Sequence, residues 1–153
     1  MAKSTFAYVT YIRSTPEKVW SALTDDVEFQ KQYWFGFHCE SGWNAGSPWK
    51  MLTGDGQITD AGEIVEAQPP RRLVIRWRHQ MNPELKAEGE SLCTMELERS
   101  GPAVKLSITH TIERDPSKLI AAVSFGWPAI LSNLKSLIET GSVAVLELGG
   151  KPK

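Results

Sequence analysis

Apolar and polar positions along this chain follow two periods. Residues 5–13 alternate, as a strand with one buried face requires. Thr15-Pro16-Glu17 supplies an N-cap, a first-turn proline and an early acid, and Val19, Trp20 and Leu23 fall on one side of the helix they open. A second short helix is expected over about 26–33. From Phe35 to Glu113 the period is two. Turn signals interrupt it at Asn44-Ala45-Gly46, Gly54-Asp55-Gly56, Gln68-Pro69-Pro70, the stretch from Asn82-Pro83 to Gly89, and Ser100-Gly101-Pro102. They divide the segment into strands near 36–43, 47–53, 57–67, 71–79, 90–99 and 103–113, and the short links favour an antiparallel meander.

The helical period returns near the end. At about 100° per residue, Leu119, Ile120, Val123, Trp127, Ile130, Leu131, Leu134, Leu137 and Ile138 share one sector, opposite Asn133, Lys135, Ser136 and Glu139. Asp115 before Pro116 reads as an N-cap and first turn, and Gly141 as a left-handed end, which predicts a helix over 116–140. Pro128 has no N–H for the Ser124 carbonyl, so the helix should kink or restart there. The stripe keeps its phase across the break, so both halves should rest on one surface. Strand, two helices, six strands and a long helix make an α+β domain over 1–153, a seven-stranded antiparallel sheet covered by its C-terminal helix.

Alternation also assigns faces. Leu73, Ile75, Trp77 and His79 point to the helix side of one strand, leaving Val74, Arg76 and Arg78 outside. Ser91, Cys93, Met95 and Leu97 point inward on the next, and Val104, Leu106, Ile108, His110 and Ile112 on the last. In a meander the strands 71–79 and 103–113 run the same way, so His79 and His110 should lie near one end of the concave face, with Ser91 or Cys93 between them.

The ordered set YIRSTPEKVWSALTD (11–25), YWFG (33–36), W-x-x-G-S-P-W (43–49), GEIVEAQPPRRLVIRW (62–77), VKLSITHT (104–111) and GWPAILSNLKSLIETG (126–141) resembles the START-related (SRPBCC) superfamily with its helix-grip fold. More narrowly, it is similar to the branch named for the activator of the heat-shock protein ATPase. The resemblance implies a sheet wrapped around the C-terminal helix with a cavity between them that often binds an apolar molecule. It also implies that the first strand pairs with the last, which brings Tyr8 to the end that holds the histidines. Members include binding proteins, lipid carriers, cyclases and chaperone activators, so the fold does not fix the activity.

The expected site is therefore an apolar cavity with a small polar cluster, lined by Tyr8, Trp77, His79, Cys93, Met95, His110, Trp127, Ile130 and Leu134 and holding an apolar or aromatic small molecule. A cyclase or dehydratase with His79 or His110 as general acid or base is the alternative in the same cavity, though no residue is assigned a catalytic role. A third reading is a co-chaperone or self-associating module. Its contact would be Trp34, Phe35, Phe37, Trp43 and Trp49 around the mouth of the cavity, rings that, if partly exposed, suit a ligand portal equally well. A homodimer is the expected assembly.

Composition narrows the classes. The 153 residues carry 17 basic and 18 acidic side chains, a net charge of −1, which argues against nucleic acid or an anionic membrane surface as partner. Neither a leader nor a long apolar run is evident, so the chain is placed in the cytoplasm with no membrane insertion. Cys39 and Cys93 lie far apart and outside any C-x-x-C spacing, as reduced structural thiols do. His38 and Glu40 share a strand face but make only two ligands, so no metal is expected, and the absence of a Gly-rich phosphate loop speaks against a nucleotide cofactor.

Overall fold

A computed structural model describes residues 2–146. Its elements run β1 (Ser4–Ile12), α1 (Pro16–Leu23), α2 (Val27–Tyr33), β2 (His38–Ser41), β3 (Pro48–Leu52), β4 (Ile58–Gln68), β5 (Arg72–His79), α3 (Pro83–Ala87), β6 (Ser91–Ser100), β7 (Ala103–Ile112) and α4 (Lys118–Thr140). The strands form one antiparallel sheet in the order β1-β7-β6-β5-β4-β3-β2. The meander is as the turn residues require, and β1 adds to its far side by pairing with β7, Phe6 opposite His110 and Tyr8 opposite Ile108.

Burial follows the period-two pattern. In β7 Val104, Leu106, Ile108, His110 and Ile112 are all buried, and in β6 so are Ser91, Cys93, Met95 and Leu97. Most of these residues meet the buried stripe of α4 in one core with Trp49 and Trp77, and Ile112 packs with Leu119 and Ile120 in a smaller second cluster. Gly62 makes one contact in that core possible. It lies between Trp49 and Trp77 in register, and a Cβ there would stand 1.7 Å from the Arg76 carbonyl oxygen. With no side chain between them, the two indoles meet at 4.5 Å between ring centroids.

Four details differ from expectation, and in two of them a distant segment supplies a partner. The last helix begins at Lys118 with Ser117 as its N-cap, not at Pro116 after Asp115. Glu88, which follows α3, reaches this end, accepting from Lys118 N at 2.8 Å, Leu119 N at 3.2 Å and Ser117 Oγ at 2.7 Å. Burial pushes the Glu88 carboxyl up, but these hydrogen bonds outweigh it and hold the group below its ordinary value. Pro128 does not restart the helix, which continues unbroken to Thr140. Asn133, expected on the polar face, is buried because the chain after Gly141 folds back over it. Its Oδ1 accepts from Ala144 N and Val145 N, and its Nδ2 donates to the Val145 carbonyl. Finally, Pro83–Ala87 is helical where a long turn was expected, with Asn82 Oδ1 capping Glu84 N at 2.9 Å.

Candidate functional site

A partly open cavity of about 200 Å³ lies between the sheet and the N-terminal half of α4. Trp77 and His79 of β5 and Asp60 of β4 form its sheet wall. The opposite wall is α4, through Leu119, Ala122, Val123, Gly126, Trp127 and Ile130. Trp34, Phe35 and Phe37, from the link between α2 and β2, line it with Met51 of β3 and Leu85 of α3. Apart from Asp60 and His79 these side chains are apolar, the usual makeup of a small-molecule pocket.

The nine sequence-derived residues separate into two groups. Trp77, His79, Trp127 and Ile130 line the cavity. Cys93, Met95, His110 and Leu134 lie in the core outside its lining, each at most 2% exposed. Tyr8 stacks on Phe6 at 6.2 Å and does not reach it. Of the mouth aromatics, Trp34, Phe35 and Phe37 line the cavity, and Trp43 and Trp49 do not. Trp34 and Trp49 are 6% and 2% exposed, so neither is the exposed anchor that an interface would need. Their rings pack on Trp127 and Trp77, at 5.4 Å and 4.5 Å, which is why burial claims them.

Asp60 is the residue that face assignment did not find. The β4–β5 register sets it opposite His79 only because a bulge between Ile64 and Glu66 shifts the pairing by one residue; counting back from the Gln68-Pro69-Pro70 turn without the bulge would have put Ala61 there. Asp60 is 7% exposed, and its carboxylate engages two neighbours through one oxygen. Trp77 Nε1 donates to Asp60 Oδ2 at 2.7 Å, and His79 Nδ1 lies 3.1 Å from the same atom. A buried carboxylate needs such donors to be tolerated.

Behind this wall a second network closes on itself. Trp127 Nε1 donates to His110 Nδ1 at 3.3 Å, His110 Nε2 lies 2.8 Å from Ser91 Oγ, and Ser91 Oγ donates to the Trp77 carbonyl at 2.9 Å. An indole only donates, so Nδ1 is the acceptor and the His110 proton sits on Nε2, facing Ser91. Burial pushes His110 down to about 4, with the Asp60 charge opposing in part. The imidazole is therefore neutral near neutral pH. Burial also pushes the Cys39 and Cys93 thiols up, which keeps them protonated and inert.

No three metal-ligating side chains converge among the described residues; His38 Nε2 meets only Glu40, at 3.2 Å. Nor is any described helix long and apolar enough to cross a membrane.

Residues 13–139 match the family model described as activator of Hsp90 ATPase homolog 1-like protein. The chain belongs to that family. No curated protein matches it. Among solved structures it is similar to CalU16 from Micromonospora echinospora, with 22% identity and a TM-score of 0.70 over 90% of this chain and 77% of that one. It is also similar to Aha1 from Colwellia psychrerythraea, solved as a dimer, with 20% identity and a TM-score of 0.72 over 90% and 98%. The third is PFC0360w, an HSP90 activator from Plasmodium falciparum, with 20% identity and a TM-score of 0.69 over 87% and 94%. At these identities the likeness establishes the helix-grip fold.

Proposed function

We propose that this member of the family binds an apolar or aromatic small molecule in the cavity between β5 and α4. The observation that carries the reading is the cavity itself, about 200 Å³ with almost wholly apolar walls. A dry apolar cavity of about 150 Å³ already accommodates benzene, so this one suits a single substituted ring. The helix that forms its far wall keeps Gly126 and Pro128 in its interior, where both lower helix stability. Such a departure from good helix sequence is often found at a functional region. Native mass spectrometry of the gently purified protein, followed by calorimetric titration with small aromatic compounds, tests the reading. One equivalent bound with a raised melting temperature is expected. An empty protein that no compound of the panel stabilises would overturn it.

Self-association is a second reading, supported by the dimeric relative from Colwellia psychrerythraea and by β1, an edge strand whose outward Val9 and Tyr11 are both 49% exposed. Sedimentation should show a dimer at high micromolar concentration, and a monomer there would end this reading without touching the first. A chaperone partner is supported by the family description alone.

A further inference from the structure

The cavity presents one imidazole and one carboxylate, and their hydrogen bonds determine where the imidazole proton sits. A carboxylate only accepts, so Asp60 Oδ2, 3.1 Å from His79 Nδ1, holds the neutral ring with its proton on Nδ1 and a lone pair on Nε2. Asp60 is itself held by Trp77 Nε1 at 2.7 Å, and the Trp77 ring is packed between Trp49 and Trp127. The carboxylate therefore cannot turn away from the imidazole without leaving a buried indole N–H unpaired. Among the described residues His79 Nε2 has no partner, and the side chain, 20% exposed, is not sealed from the cavity or solvent. His110 offers no such vacancy, since Trp127 and Ser91 occupy both its nitrogens.

We propose that the ligand is an aromatic-sized molecule bearing a phenolic or enolic O–H, which it donates to His79 Nε2, with Asp60 as the residue that positions the imidazole to receive it. The inference rests on the cavity being a ligand site. His79 lines the cavity, so a ligand that fills it takes the place of water at the imidazole, and a molecule with only hydrogen-bond acceptors would leave the Nε2 lone pair unpaired. Sites built to pair with a hydroxyl discriminate strongly against analogues that lack one.

The matched pair para-cresol and para-xylene tests this, because they share a shape and differ by hydroxyl against methyl. An apolar cavity without hydroxyl recognition prefers para-xylene, the more hydrophobic of the two. Calorimetry on the wild-type protein should instead give para-cresol at least about tenfold tighter binding, the value of one good hydrogen bond. His79→Leu should reverse the order. Nitrogen chemical shifts of His79 in the wild type, recorded at alkaline pH and needing no variant, should show the proton on Nδ1 and a bare Nε2. Preference for para-xylene, or a proton on Nε2, overturns the inference and leaves the cavity reading standing. Failure of both compounds to bind overturns both.

Discussion

Acidification should destabilise this protein through His110, and the size of the effect follows from the network around it. Its pKa lies at about 4 in the folded chain against an ordinary value of 6.5, because burial penalises the charged ring. Protonation would also place a second N–H on Nδ1, directly opposite the Trp127 Nε1 donor. Above 6.5 neither state binds a proton at this site, so stability is unaffected. Between 6.5 and about 4 the unfolded chain takes up a proton that the folded chain refuses, and stability falls with pH. Below about 4 the folded state is protonated too, and this contribution stops changing. At roughly 1.36 kcal/mol per pH unit, the interval costs about 3 kcal/mol. Urea denaturation across this range, for the wild type and His110→Gln, measures it. Carboxylates that titrate in the same interval are common to both proteins and largely cancel in the difference. The wild type should lose about 3 kcal/mol more than the variant. Parallel profiles would refute the assignment of His110 as a buried neutral imidazole.

Three further outcomes follow from packing. Gly126→Ala should stabilise the unliganded protein by about 0.5–1 kcal/mol in chemical denaturation, since the new methyl meets nothing nearer than Ile130 Cδ1 at 3.9 Å. The same methyl narrows the cavity that Gly126 lines, so calorimetric affinity for aromatic compounds should fall. Gly62→Ala should cost on the order of 4 kcal/mol or more, because its Cβ would overlap the Arg76 carbonyl, and a near-native melting temperature would contradict the β4–β5 register. Trp49→Ala should cost about 3–5 kcal/mol of stability with no effect on sedimentation; loss of self-association at unchanged stability would show the ring to be an exposed anchor after all.

Much of this architecture was legible because burial repeats on the period of the element. The inward residues of β6 and β7 and the α4 stripe from Leu119 to Leu137 follow from spacing alone, since each strand or helix has one face to bury. What escaped were residues whose role depends on a partner far away in sequence. Ser117 replaces Asp115 as the cap because Glu88 completes that end, 29 residues earlier. Asn133 is polar and buried because the chain after Gly141 returns to satisfy it. Asp60 escaped because its place opposite His79 depends on the bulge between Ile64 and Glu66, which shifts the strand by one residue and which alternation does not reveal. The cavity lining was legible only in part for a related reason. Alternation tells that Cys93 and Met95 face inward, but only packing decides that Trp77 and Trp127 stand between the cavity and the interior behind it.

The indoles of Trp34, Trp127, Trp77 and Trp49 form a continuous run, with ring centroids 5.4, 6.0 and 4.5 Å apart. Transition dipoles this close couple, so the near-ultraviolet dichroism of the folded chain belongs to the row more than to its members, and an excitation arriving at one ring is shared with the next. Trp34, Trp127 and Trp77 touch the cavity and Trp49 does not, yet a molecule that perturbs the first three should change the light absorbed and emitted by Trp49. The protein thus carries an optical read-out of its own interior, wired through the gap left by Gly62, and removing any one ring should alter the spectrum by more than that ring's share.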